Sequence, residues 1–152
     1  MSQNYDSIDL LWTDDGDWAV GRDGNIADTK FDPLLAVSQD MYDRVKSDRG
    51  DYSEAPRMGA TLGDFVGEPN TAEAGRQVET RILSAFQIGK AINESDATIQ
   101  AFPLSVETMG IKVSLAVMPT TWNKGSRRLS LVYVYSYHEN NIYPVVFRGD
   151  DL

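Results

Sequence analysis

Glu54 and Glu68 flank a short apolar segment within EAPRMGATLGDFVGEPN. Paired carboxylates serve glycoside hydrolysis, one as acid and the other as base or nucleophile. Retention needs them ~5 Å apart and inversion ~6.5–9.5 Å. The acid also needs burial to lift its pKa. A separation of fourteen loop positions guarantees neither, and a chain with 23 acidic residues places two in one loop by chance.

A second group is Asp14, Asp15, Asp17, Asp23, Asn25 and Asp28. Carboxylates at this density suit calcium, but the order departs from D-x-[DN]-x-[DN]-G-x₅-E, and Asp-Gly pairs are what tight turns require. Arg49-Gly50-Asp51 spells an integrin-binding tripeptide that a helix stop at Gly50 explains better. Asn93-Glu94-Ser95 is a sequon, meaningful only in a secreted chain. His138 follows an alternating strand and reads as a strand residue. No Ser/His/Asp set and no glycine-rich phosphate loop can be placed.

The totals narrow the classes further. The 152 residues suit one domain, and 41% hydrophobic content suits a real core. No apolar run reaches the ~18 residues of a membrane span. The start, MSQNYDSIDLLW, is acidic and lacks the layout of a secretory signal. Without cysteine there is no disulfide or thiolate chemistry, and one histidine builds no multi-histidine metal site. A net charge of −9, concentrated early in the chain, repels phosphate backbones. No cofactor or metal is expected.

Among the elements that hold these residues, 1–31 read as an N-terminal hairpin or arm, with Asp-Gly turns at 15–16 and 23–24. A helix starts with Asp32 as cap and Pro33 at its first position, and Gly50 is its stop. Residues 50–70 are a loop with one helical turn near Leu62–Val66. Asn70-Thr71-Ala72-Glu73 resembles a capping box for a second helix, with Gly89 as C′. After Asn93 the period becomes two: ATIQAFPLSVET, IKVSLAVMP and RRLSLVYVYSY alternate, separated at Gly110 and at 120–126. IYPVVF follows as an edge strand, because Pro144 lacks a donor. No internal repeat is evident. Residues 32–152 are thus an α+β core. An antiparallel sheet of about three to four strands carries two main helices on one face. The run Tyr133, Tyr135, Tyr137 is read as a packed face that could double as an interface.

Within the loop, Pro56 stiffens the entry and Gly59 allows positive φ or close backbone approach. Leu62 and Phe65 pin the loop to the core. Arg57 projects either as a fork for a partner's carboxylate or into solvent.

The run WTDDGDWAVGRDGNIADT, the helix DPLLAVSQDMYDRVKS, the loop RGDYSEAPRMGATLGDFVGEPN and the helix TAEAGRQVETRILSAF precede a strand ending at Phe102-Pro103. Over about residues 8–147 this order resembles the sheath-initiator, or baseplate wedge, family of contractile-tailed phages and related injection machines, long labelled lysozyme-like. The most specific part is Pro56-x-x-Gly59-x-x-Leu62-x-x-Phe65. The resemblance implies a non-enzymatic virion component, assembled in the host cytoplasm, whose partners are baseplate wedge proteins and tail sheath protein. It implies a docking loop of Glu54, Pro56, Arg57, Gly59, Leu62 and Phe65, joined by Lys90. It also implies a sheet extended by sheath strands at Ile142, Tyr143, Val145, Val146 and Phe147. Where the family often has Glu-Pro-Arg after the long helix, this chain has Gly89-Lys90-Ala91-Ile92. The alternative is a peptidoglycan hydrolase using Glu54 or Glu68.

Overall fold

The computed structural model describes residues 8–13, 15–30, 32–90, 92–117 and 127–151, with side chains except at positions 33, 90, 127 and 146–151. Helix α1 spans Pro33–Lys46, with the Asp32 carboxylate accepting the Leu34 N–H as N-cap. It ends at Lys46, before the expected stop at Gly50. The Ser47 N–H and hydroxyl both turn back to the Asp43 carbonyl. The following loop returns over this end, with Ala60 N–H on the Arg44 carbonyl (3.0 Å) and Thr61 N–H on that of Ser47 (3.2 Å). Gly50 lies in the turn beyond, at φ 98°.

Helix α2 spans Ala72–Gln87 and is capped one residue later than the sequence suggests: Thr71, not Asn70, accepts the Ala74 N–H. Asn70 is used elsewhere. Its amide nitrogen donates to the Ser105 and Thr108 carbonyls and its oxygen accepts the Tyr137 hydroxyl. Gly89 follows α2 at φ 71°, as a C′ residue requires.

The fold is α+β. Strands β1 (Ala97–Pro103), β2 (Thr108–Val117), β3 (Arg127–Ser136) and β4 (Asn141–Asp151) form an antiparallel meander in that order. Alternation sends Met109, Ile111, Val113 and Leu115 of β2, and Leu129, Leu131, Tyr133 and Tyr135 of β3, to one face. There they pack with Val37, Met41 and Val45 of α1 and Val78, Ile82 and Phe86 of α2. At roughly 1.5–3 kcal/mol per buried apolar side chain, this face outweighs any single polar contact. The three tyrosines lie in it, as a packed face requires. Gly110 sits inside β2 rather than between strands, because the Phe102 ring of β1 occupies the space its Cβ would fill, 2.7 Å away. The β2–β3 connection expected at 120–126 lies outside the described residues.

The N-terminal region is more than a hairpin. Leu11, Ala19 and Ala27, spaced eight apart, close a ring of backbone bonds: Leu11 N–H to Ala27 O, Ala27 N–H to Ala19 O, Ala19 N–H to Leu11 O. The turns repeat at the same spacing. Gly16 donates to Thr13, Gly24 to Gly21, and Asp32 to Thr29. The chain therefore contains an eight-residue repeat with pseudo-threefold closure, contrary to the reading of no repeat. Its third turn runs directly into α1. Gly16 and Gly24 take φ 84° and 81°, which explains the Asp-Gly pairs. Gln39 of α1 ties this hub down, accepting the Trp12 N–H and donating to the Leu10 carbonyl and Asp9 carboxylate.

Candidate functional site

The loop after α1 is held from below. Gly59 is buried at φ 120°, and a Cβ there would stand 2.7 Å from the Ser47 oxygen and the Asp48 carbonyl carbon. Both demands placed on this glycine, positive φ and close approach, are therefore real. Leu62 and Phe65 lie on a 3-10 turn, Leu62–Phe65, and are buried in the core. The Tyr135 hydroxyl donates to the Leu62 carbonyl at 3.2 Å. Arg81 of α2 pairs with Asp64 at 2.8 Å and lies over the Phe65 ring. Sequence reasoning missed Arg81, since nothing local links α2 to that turn. Glu54, Pro56 and Arg57 are exposed on this buttressed loop, and Arg57 has no ion pair among the described residues. Lys90 ends the 3-10 turn Ile88–Lys90, and its side chain is outside those described.

The two outer strands differ. On β1, the Ala101 N–H donates to the Glu79 carboxylate of α2 at 2.9 Å, and the Ala101 carbonyl abuts Gly75, whose Cβ would stand 2.6 Å from it. Helix α2 thus occupies the outward backbone of β1 at Ala101. On β4, the first residues are capped internally. Ile142 N–H donates to the Asn141 side chain, and the Ile142 carbonyl accepts the Tyr42 hydroxyl. Pro144, two residues on and facing the same way, has no N–H. The register then shifts: Tyr133 pairs with Pro144 and Val132 with Val146, leaving Val145 as a bulge residue. Beyond it β4 runs to Asp151 with β3 on one side and no strand on the other among the described residues. Ile142 is buried, whereas Tyr143 and Val145 are exposed. Val146 and Phe147 are placed by their backbone register alone.

The remaining candidates resolve into structure. Glu54 and Glu68 are both exposed, so neither has the desolvated setting a general acid needs. Glu68 lines a shallow groove with Asp64, Glu73 and Arg81, and Glu54 is not part of it. Asp9, Asp17, Asp23 and Asp28 use their carboxylates on nearby backbone N–H groups, as turn residues do. Hydrogen bonding from Asn25 holds the Asp23 carboxyl below its usual range. Asp14 lies outside the described residues. Asp51 accepts the Asp48 N–H, Asn93 bonds Asp96, and His138 is exposed in the β3–β4 turn. Among the described residues no three ligating side chains converge as a metal site would require, and no helix is long and apolar enough to cross a membrane. Compared with models of known families, with curated proteins and with solved structures, the chain matches none.

Proposed function

We propose that this protein is a structural, non-enzymatic component of a contractile phage tail baseplate. It docks on wedge proteins through the Glu54–Asn70 loop and templates sheath assembly by accepting a strand along β4. The observation that carries this reading is the contrast between the two sheet edges. Helix α2 takes the outward backbone of β1 at Ala101, whereas β4 continues beyond its capped start and its bulge with one neighbouring strand only among the described residues. An edge of this kind is an aggregation hazard that a partner strand removes, and backbone pairing supplies affinity with little sequence demand. The loop supports the docking half of the reading. Gly59, Leu62 and Phe65 fix it from beneath while Pro56 and Arg57 face outward.

The decisive experiment is truncation after Val145. This removes the segment past the bulge and keeps Ile142, which is part of the core. Co-expressed with the sheath and wedge proteins of a contractile tail, the truncated chain is expected to fold and join the wedge but to start no sheath. Sheaths of full length on such particles would remove strand addition from β4. Clearing of purified cell walls by the intact protein, abolished by Glu54→Gln or Glu68→Gln, would replace the whole reading with hydrolysis.

A further inference from the structure

Between the hub, α1 and the β3–β4 edge lies a cleft of about 730 Å³. Trp12, Leu35, Tyr42, Tyr52 and Val145 contribute to its walls, and Asp43 and Tyr133 also line it. Lys46 lines it as well, and one polar group here is both buried and unpartnered among the described residues. The Tyr133 hydroxyl is buried and has no hydrogen-bond partner among the described residues. Asp43 carries no hydrogen bond or ion pair to its carboxylate among the described residues. A buried hydroxyl without a partner is a cost that native structures seldom leave uncompensated. Aromatic walls, a carboxylate and an orphan hydroxyl together describe a receptor for a cation carried on an apolar stem.

We propose that this cleft receives an arginine side chain from a partner polypeptide, its guanidinium donating to Asp43 and to the Tyr133 oxygen between the aromatic rings. Arginine fits better than lysine, since its planar fork offers several donors at once and stacks on rings. The groups facing Asp43 leave an acidic surplus: Asp40 and Lys46 on α1, and Asp9 from the hub. Asp40 is already paired with Arg44 at 2.9 Å, and the Lys46 ammonium lies over the Tyr42 ring. Pro144 and Val145 form one rim, so a segment laid along β4 passes the mouth. The inference rests on the strand-addition reading only for that direction of approach.

The test titrates the full chain with N-acetyl-arginine N-methylamide, followed by amide and indole NMR shifts, against the neutral citrulline analogue. The expected result is saturable shifts at Trp12, Lys46 and Val145 with the arginine probe, and none with citrulline. Asp43→Asn should weaken binding at least about fivefold. Burial lifts the Asp43 carboxyl to about 6, with Asp40 adding to the shift. Affinity should therefore fall about tenfold from pH 7.5 to pH 5 as that charge is lost. Tyr133→Phe supplies a readout that a structural hydroxyl would not give: the free protein keeps or raises its Tm, while the probe binds several-fold more weakly. Equal binding of citrulline, no saturable shift, shifts unaltered by Asp43→Asn, or a lowered Tm in Tyr133→Phe would each overturn the proposal. One amino-acid amide cannot add a strand. Failure of the probe with sheath assembly intact therefore removes the arginine site alone, and the reverse removes strand addition alone.

Discussion

The Glu79 carboxylate accepts the backbone N–H of Ala101 at 2.9 Å, a helix side chain completing the outward edge of a strand. This bond makes β1 and β4 unequal. Replacing Glu79 by alanine leaves that N–H to water, so we expect a loss of about 1–2 kcal/mol, read as a lower urea midpoint at unchanged slope. Glu79→Gln keeps an acceptor and should lose less than half as much. Equal midpoints in all three proteins would mean that the bond adds nothing to the edge.

Gly59 and Gly50 both have positive φ, 120° and 98°, but only Gly59 has backbone within 4 Å of an added Cβ. Gly50→Ala should cost about 1–2 kcal/mol, the conformational penalty alone. Gly59→Ala adds a collision with the end of α1 and should cost about 3 kcal/mol or more. Thermal or urea unfolding of the pair measures the difference. Similar losses would show that the loop yields easily.

Arg57 is exposed on a loop whose base is fixed, so Arg57→Glu should leave the unfolding midpoint within about 0.5 kcal/mol of the parent. If it grips a wedge carboxylate, the same change abolishes co-purification with wedge proteins. Unchanged co-purification would leave Arg57 as a solvated side chain.

The parts of the fold legible in advance were those set by neighbours in sequence. Asp32-Pro33 announced α1, and alternation around Ile111–Val117 and Leu129–Tyr137 announced the sheet and its buried face. The misplaced details depend on contacts across the chain. Gly110 looked like a turn because the ring it accommodates, Phe102, lies on another strand. Asn70 looked like a cap because its true partners, Ser105, Thr108 and Tyr137, come much later. Arg44 went unmarked in the sequence because its partners are also distant: it is buried and donates to the Ala85 and Ile88 carbonyls at the end of α2. The eight-residue repeat was hidden because its third copy has Asp32 where the others have glycine. Of the site, the glycine and apolar anchors of the loop were legible from residue type. The bulge at Val145 and the cleft beside it were not, since both depend on how β4 pairs with β3.

Burial, then Asp40, pushes the Asp43 carboxyl from its ordinary value near 3.8 up to about 6. The native state therefore holds this proton more tightly than the unfolded chain. The resulting stabilisation is complete below about pH 4 and is lost as pH rises past about 6. After allowing for screening by water, it amounts to roughly 1–2 kcal/mol. Asp43→Asn should thus be more stable than the parent at pH 8 by that amount and nearly equal to it at pH 4. Parallel stability curves for the two proteins across this range would contradict the burial of that charge.

Gln39 connects the hub to α1 with one side chain, through bonds of 2.9 Å to the Trp12 N–H, 2.9 Å to the Leu10 carbonyl and 3.1 Å to Asp9. The hub otherwise exposes much of its apolar surface, including Leu10, Trp12, Trp18, Val20 and Ile26. Its internal ring at Leu11, Ala19 and Ala27 does not involve Gln39, nor does the core beneath the sheet. Gln39→Ala should therefore loosen the hub as a unit while leaving the core alone. The expected outcome is cleavage within residues 8–31 at least about tenfold faster under limited proteolysis, the equivalent of about 1.4 kcal/mol of lost attachment. The main unfolding transition should move by less than about 0.5 kcal/mol, because local opening and global unfolding are separate events. A large shift of the main transition would instead make the hub part of the core's cooperative unit, and unchanged proteolysis would mean that contacts other than Gln39 hold it.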